Sequence, residues 1–134
     1  MLKFLRIRNL ATIEDLEVRL LPGFSILTGE TGAGKSIIID AIRLVLGDKS
    51  SPDLVRTGKK EAVIEAVLDV SRSPVDLGEI PPAEDGELFI QRQFTDQGTG
   101  KAYINGVLAP VRRLRELGPQ LVDIYGQNDH VFLL

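Results

Sequence analysis

The sequence predicts an α/β fold in which an antiparallel β layer lies beside a sheet built around a phosphate-binding loop. Three observations carry this prediction. Gly29-Glu30-Thr31-Gly32-Ala33-Gly34-Lys35-Ser36 fits G-x-x-x-x-G-K-[ST], and it stands between a short apolar run, Phe24-Ser25-Ile26-Leu27, and an apolar helix pattern from Ile37 to Leu46. Further segments before and after this unit read as strands. Strong turn signals separate them: Pro22-Gly23, the stretch Thr95 to Gly100, and Asn105-Gly106.

The elements follow in order. Leu2 to Leu10 sets Leu2, Phe4, Ile7 and Leu10 against Lys3, Arg6 and Arg8, which suits a half-exposed strand. Asn9-Leu10-Ala11-Thr12 turns the chain into Ile13 to Leu20, where apolar residues alternate with Glu14, Glu17 and Arg19. Pro22-Gly23 leads into the strand before the loop. The helix after Lys35 is apolar nearly all round, so it should lie buried against a sheet, with Gly47 as its C-cap. Asp48 to Asp53 is a polar loop, and Glu61 to Val70 is a strand. Ser71 to Gly86, with Pro74, Pro81 and Pro82, is a surface loop. Glu87 to Phe94 and Lys101 to Ile104 form a hairpin. Pro110 to Leu117 reads as a short helix stopped by Gly118-Pro119, and Leu121 to Tyr125 as a last buried strand before the polar loop from Gly126 to His130.

Bulk composition narrows the chemistry. The chain of 134 residues suffices for one core, and 43% hydrophobic with 26% charged residues suits a soluble globular domain. There is no cysteine, which excludes disulfides and thiolate metal sites, and His130 alone argues against a histidine metal site or a Ser-His-Asp triad. No apolar run approaches the roughly 18 residues of a membrane-spanning helix, and no signal peptide is visible, so the expectation is a cytoplasmic protein without membrane partners. A net charge of −3 does not suggest a dedicated nucleic-acid surface. The local basic clusters at Lys3/Arg6/Arg8, Lys59-Lys60 and Arg112/Arg113/Arg115 read as solvated faces, with a phosphate-backbone contact as the alternative.

The loop needs particular residue types because a nucleotide's phosphate tail is polyanionic and demands many donors without side-chain clutter. Gly29, Gly32 and Gly34 let the backbone present its N–H groups, Lys35 would reach the β- and γ-phosphates, and Ser36 would hold Mg²⁺. Phosphoryl transfer also needs a metal-anchoring carboxylate and a group that positions water. From the residues alone, Gln127 reads either as such a group or as an ordinary loop residue. Asp123 resembles a Walker B carboxylate, but Pro119-Gln120-Leu121-Val122 before it supplies two apolar residues where such a strand usually has four. Asp123, Gly126 and Gln127 also resemble the Asp-x-x-Gly-Gln switch of small GTPases, yet none of Asn9, Asn105 and Asn128 opens an Asn-Lys-x-Asp guanine motif.

Together these residues resemble the RecN family, bacterial SMC-like ATPases of DNA double-strand-break repair. The resemblance rests on Leu5-Arg6-Ile7-Arg8-Asn9-Leu10-Ala11-Thr12-Ile13-Glu14, on the run from Phe24 to Ala41, on Ala102-Tyr103-Ile104-Asn105-Gly106 and on Leu121-Val122-Asp123-Ile124-Tyr125-Gly126-Gln127. It implies a P-loop NTPase of ABC/SMC type, with ATP and Mg²⁺ as ligands. Gly29 through Ser36 (Glu30, Thr31 and Ala33 included) would cradle phosphate, with Lys35 and Gln127 in catalytic roles. Ser36 and Gln127 would serve the metal, and Arg8 and Asn9 would approach the nucleotide. Two places depart from the family: Lys49 stands where an arginine is expected, and Asn128-Asp129-His130 replaces His-Glu-His.

The resemblance also implies parts that these residues do not supply: a signature motif, a Walker B Asp-Glu and a switch histidine, all beyond a coiled coil. The expectation is therefore that residues 1–134 are the N-terminal lobe of a split head. Its partners would be the C-terminal lobe of the same protein, a second head engaged on ATP binding, and DNA through the full-length protein in the nucleoid. The competing readings are a self-contained small P-loop kinase or GTPase, and a non-catalytic packing module.

Overall fold

The computed structural model describes residues 2–19, 32–71, 75–78, 80 and 84–125, with backbone alone at 32–36 and 122–125. Among these residues six strands form one sheet: β1 (Leu2–Leu10), β2 (Ile13–Arg19), β3 (Glu61–Asp69), β4 (Glu87–Thr95), β5 (Gly100–Ile104) and β6 (Val107–Ala109). Two helices accompany them, α1 (Gly32–Val45) and α2 (Val111–Tyr125). The strand order is β2-β1-β3-β4-β5-β6, and every neighbouring pair is antiparallel. This is the expected antiparallel layer. The expected strand Phe24–Leu27 lies outside the described residues.

Alternation gives the sheet two unlike faces. On the inner face the register lines up Val18, Leu5, Ala66, Ile90 and Ile104 across five strands, and beside them Leu16, Ile7, Ile64, Arg92 and Ala102. α1 packs against β3 and β4, α2 packs against β5, and one hydrophobic cluster joins the strands to both helices. On the outer face the rows are Glu17, Arg6, Glu65, Gln91, Tyr103 and Leu108, then Asp15, Arg8, Val63, Gln93 and Lys101. A bulge at Lys3, between the pairs Leu2–Leu68 and Phe4–Val67, lets β1 keep its inner set in phase.

The β1–β2 hairpin turns at Ala11-Thr12, with Asn9 at φ 57° and Ala11 at φ 51°. A left-handed alanine costs about 1–2 kcal/mol, and the segment around a short 3₁₀ turn, Pro52–Leu54, holds it in place. The Ala11 amide donates to the Leu54 carbonyl (2.7 Å), the Arg56 amide to the Asn9 carbonyl (2.9 Å), and the Arg56 guanidinium to the Thr12 carbonyl (2.7 Å). Asn105-Gly106, both at positive φ, is the expected tight turn, but it opens a sixth strand that the sequence reading did not include.

α1 matches its sequence reading. Ile38, Ala41, Ile42, Leu44 and Val45 are buried, and Asp40 and Arg43 alone of its residues 37–45 are exposed. It ends in a Schellman motif: Gly47 at φ 104° donates its amide to the Leu44 carbonyl, and Asp48 to the Arg43 carbonyl, both at 3.1 Å.

α2 corrects the sequence reading twice. The helix does not stop at Gly118-Pro119, and Leu121–Tyr125 is its last stretch and not a strand. Leu114, Leu117 and Leu121 recur at helical spacing and are fully buried. Burying each leucine stabilises by about 1.5–3 kcal/mol, which together outweighs the ~3 kcal/mol that an interior proline costs. Gly118 has a packing role: a Cβ there would lie 3.2 Å from the Leu46 carbonyl oxygen.

Gly47 shows how close the two helices are. A Cβ at Gly47 would lie 2.5 Å from Arg115 Cγ and 2.6 Å from its backbone nitrogen, whereas a Cβ at Gly58, also at positive φ, would meet nothing within 4 Å. Gly47→Ala should therefore lower unfolding stability by about 3 kcal/mol or more, combining left-handed strain with overpacking. Gly58→Ala should cost about 1–2 kcal/mol. Urea unfolding of the two variants checks the difference, and equal losses would contradict the close α1–α2 contact.

Candidate phosphate site and its supports

The phosphate loop meets the fold at the start of α1. Gly32, Ala33, Gly34, Lys35 and Ser36 form its first turn. The amides of a helix's first turn have no acceptor within the helix and stand at its positive end, which is where Gly32, Ala33 and Gly34 lie. Gly29, Glu30 and Thr31 lie outside the described residues, as do Gln127 and His130. The donor set suits a nucleotide triphosphate with Mg²⁺: small residues that leave amides accessible, one lysine, and one hydroxyl for the metal. Among the described residues no cluster of His, Cys, Asp or Glu could hold a metal ion by itself. Asp123 falls in the last turns of α2 and not at a strand end, which removes the strand-end geometry required by both its Walker B and its switch readings.

Arg8 and Asn9 stand together at the end of β1. Arg8 is on the outer sheet face, where its guanidinium pairs with Glu65 at 3.1 Å, and its buried Nε has no hydrogen-bond partner among the described residues. Asn9 offers its carbonyl to Arg56. Among the described residues no hydrogen bond or ion pair joins either to α1, so the structure anchors these two residues to the sheet. Neighbouring ion pairs complete a charged lattice: Arg6 with Asp15 through two bonds (3.2 and 2.9 Å), Arg19 with Glu17, and Lys3 with Glu87. Arg19 also lies over the Phe4 ring, 5.2 Å from its centroid.

At the other end of α1 stands a residue the sequence reading passed over. Arg92 occupies an inward position of β4, between Ile90 and Phe94, and is 4% exposed. Its Nη1 donates to the Leu44 carbonyl (2.5 Å) and to the Asp48 carbonyl, both at the C-terminal end of α1. Burial lowers its pKa, the nearby Arg115 charge adds to that, and Asp48 opposes it. Its ladder partner on β5 is Ala102, whose small side chain leaves room for the guanidinium. The signal available in the sequence was a charge in the apolar phase of Leu88, Ile90, Arg92 and Phe94.

An antiparallel sheet carrying a helix that opens on a phosphate loop defines a P-loop NTPase lobe of the SMC-head kind, and comparison with solved structures gives the same class. A chain from work on ATP-driven dimerization and DNA-stimulated activation of SMC ATPases superposes with a TM-score of 0.71 at 18% identity, covering 98% of this chain and 96% of that one. An Smc head bound to the C-terminal winged-helix domain of ScpA gives 0.73 at 21% identity, covering 89% and 40%. The chain belongs to the AAA domain family, whose pattern matches residues 5–127. Curated proteins similar to it include DNA repair protein RecN of several bacteria. That of Halalkalibacterium halodurans is 44% identical over 138 residues, covering all of this chain and 24% of the relative, and that of Streptomyces coelicolor is 40% identical over 137 residues, covering 97% and 23%. The chain thus spans about a quarter of the length of these relatives. No helix among the described residues is long and apolar enough to cross a membrane.

The outer lattice sets an acid response. The Arg6 hydrogen bond holds the Asp15 carboxyl below its ordinary range, and bonds from the Ser71 hydroxyl and amide do the same for Asp69. A carboxyl with a depressed folded pKa favours the folded state above its unfolded pKa, about 3.9, and that contribution is lost as pH falls through the folded value. The urea midpoint should therefore drop as pH is lowered below about 4. In Asp15→Asn the same acid limb should be shallower, while the two proteins keep parallel profiles from pH 5 to 8. An unchanged acid limb in Asp15→Asn would show that this pair does not contribute.

Proposed function

We propose that residues 1–134 are the N-terminal, ATP-binding lobe of an SMC-like ATPase head acting in DNA double-strand-break repair and recombination. The observation that carries the reading is a phosphate-loop motif opening α1 in a chain related throughout its length to RecN proteins. In this reading Gly29, Glu30, Thr31, Gly32, Ala33 and Gly34 cradle the phosphates, Lys35 neutralises the β- and γ-phosphates, and Ser36 and Gln127 serve Mg²⁺. Gln127 also senses the γ-phosphate. Arg8 and Asn9 border the nucleotide, with Arg8 held by Glu65 until it engages. The carboxylate and signature groups needed for hydrolysis come from a C-terminal lobe and a second head. ATP then engages two heads, and DNA is reached through the full-length protein in the cytoplasm, on the nucleoid. The match to a solved SMC chain of nearly the same extent supports the lobe as a unit.

The chain should bind Mg·ATP and hydrolyse it near background. Lys35→Ala removes charge-assisted bonds worth about 1.5–3 kcal/mol, so the Kd should rise roughly tenfold or more. Arg8→Ala should weaken binding less. Fluorescent-nucleotide titration and phosphate release check both, and guanine nucleotides should compete no better than adenine ones. ATP turnover by the chain alone that depends on Lys35 would overturn the lobe reading. Binding indifferent to Lys35 would overturn the site.

A further inference from the structure

We propose that Arg92 is a positioning residue for the phosphate site, acting from the far end of α1. The proposal rests on the nucleotide-binding reading above and adds to it a residue remote from the loop. Three contacts meet where α1 ends. Arg92 reaches from the sheet to the Leu44 and Asp48 carbonyls. Gly47 lies against Arg115 of α2, and Gly118 of α2 lies against the Leu46 carbonyl. α1 is therefore held at its end by the sheet on one side and by α2 on the other, while its first turn is the phosphate cradle.

The lever arm makes this end matter. At 1.5 Å per residue the 14-residue helix is about 21 Å long, so a tilt of about 3° at the cap moves the first turn by about 1 Å. Misplacement on that scale is enough to cost orders of magnitude in a preorganised site. Arg92 suits the task because its charge faces the negative end of the helix dipole and its guanidinium is held by burial in the β4 row, with Nη1 bonded to both carbonyls. A methionine would fill similar space while removing the Asp48 carbonyl's bond to the sheet and leaving the Leu44 carbonyl with the Gly47 amide alone. A lysine keeps the charge but carries it on a flexible unbranched stem, without the rigid guanidinium plane that sets Nη1 between the two carbonyls.

The test uses the full chain with Arg92→Met, Arg92→Lys and Lys35→Ala, at a temperature where circular dichroism shows each to be folded. The readouts are the Kd for Mg·ATP and the ³¹P chemical shift of the bound β-phosphate. A merely structural role would leave that shift unmoved in the folded fraction. The expected result is binding about tenfold weaker in Arg92→Met, a displaced β-phosphate resonance, and Arg92→Lys between the two. Unchanged affinity and shift in Arg92→Met overturn the proposal, as does a loss of affinity matched by the unfolded fraction alone. Where Arg92→Met does not fold, Arg92→Lys decides: an intermediate loss with a moved resonance supports positioning, and wild-type values overturn it. Failure of the wild-type chain to bind nucleotide through Lys35 would instead remove the nucleotide reading itself, a result separable from any effect at Arg92.

Discussion

The structure depends on how the end of α1 is closed. α1 ends beside α2 with Leu44, Val45 and Gly47 buried, so its last carbonyls need donors within the fold. Each one left without a donor would cost about 1–3 kcal/mol. The Gly47 and Asp48 amides fold back onto the Leu44 and Arg43 carbonyls, and Arg92 Nη1 gives Leu44 a second donor from the sheet and bonds the Asp48 carbonyl just past the helix. The cost of burying that guanidinium is offset by the carbonyl dipoles it faces. The same junction explains three small residues. Gly47 admits Arg115, Gly118 admits the Leu46 carbonyl, and Ala102 leaves the space opposite Arg92.

The two sheet faces divide the work unequally. Exposed ion pairs such as Arg6–Asp15 are screened by solvent and contribute little, so stability comes from the inner rows. The outer lattice fixes register. Sliding β2 by two residues would keep its apolar side inward, but it would set Glu17 against Phe4 and take Arg19 off the ring it covers. The charged positions on β2 also protect an edge strand that would otherwise invite pairing with another chain.

Much of this was legible in the sequence because it is local. Alternation marked β1 to β5 within a residue or two, the apolar run marked α1, Gly47 marked its cap, and the motif marked the first turn of α1 as the candidate site. What escaped was non-local or too short. β6 has three residues and no period to read. The Arg8–Glu65 pair joins positions 57 residues apart, and nothing in either neighbourhood announces the other. Arg92 was visible as a charge out of phase, but its meaning depends on α1 ending beside β4, which no local pattern states.

α2 shows where local reading fails for a physical reason. Gly118-Pro119 is a real weak point: a glycine costs about 1 kcal/mol and a proline about 3 kcal/mol in a helix interior. The proline also leaves the Arg115 carbonyl without its usual donor one turn on. Leu121-Val122-Asp123-Ile124-Tyr125 beyond it has the branched and aromatic composition of a strand. By propensity alone the helix should break there. It continues because Leu121 falls in phase with Leu114 and Leu117 and enters the same core, and because Gly118 must be bare for α2 to touch α1. The second half of α2 is thus helical through its packing and against its own preferences. Its conformation is tied to the α1 junction more closely than that of any strand in the sheet, where neighbouring hydrogen bonds and alternation agree with each other at every step.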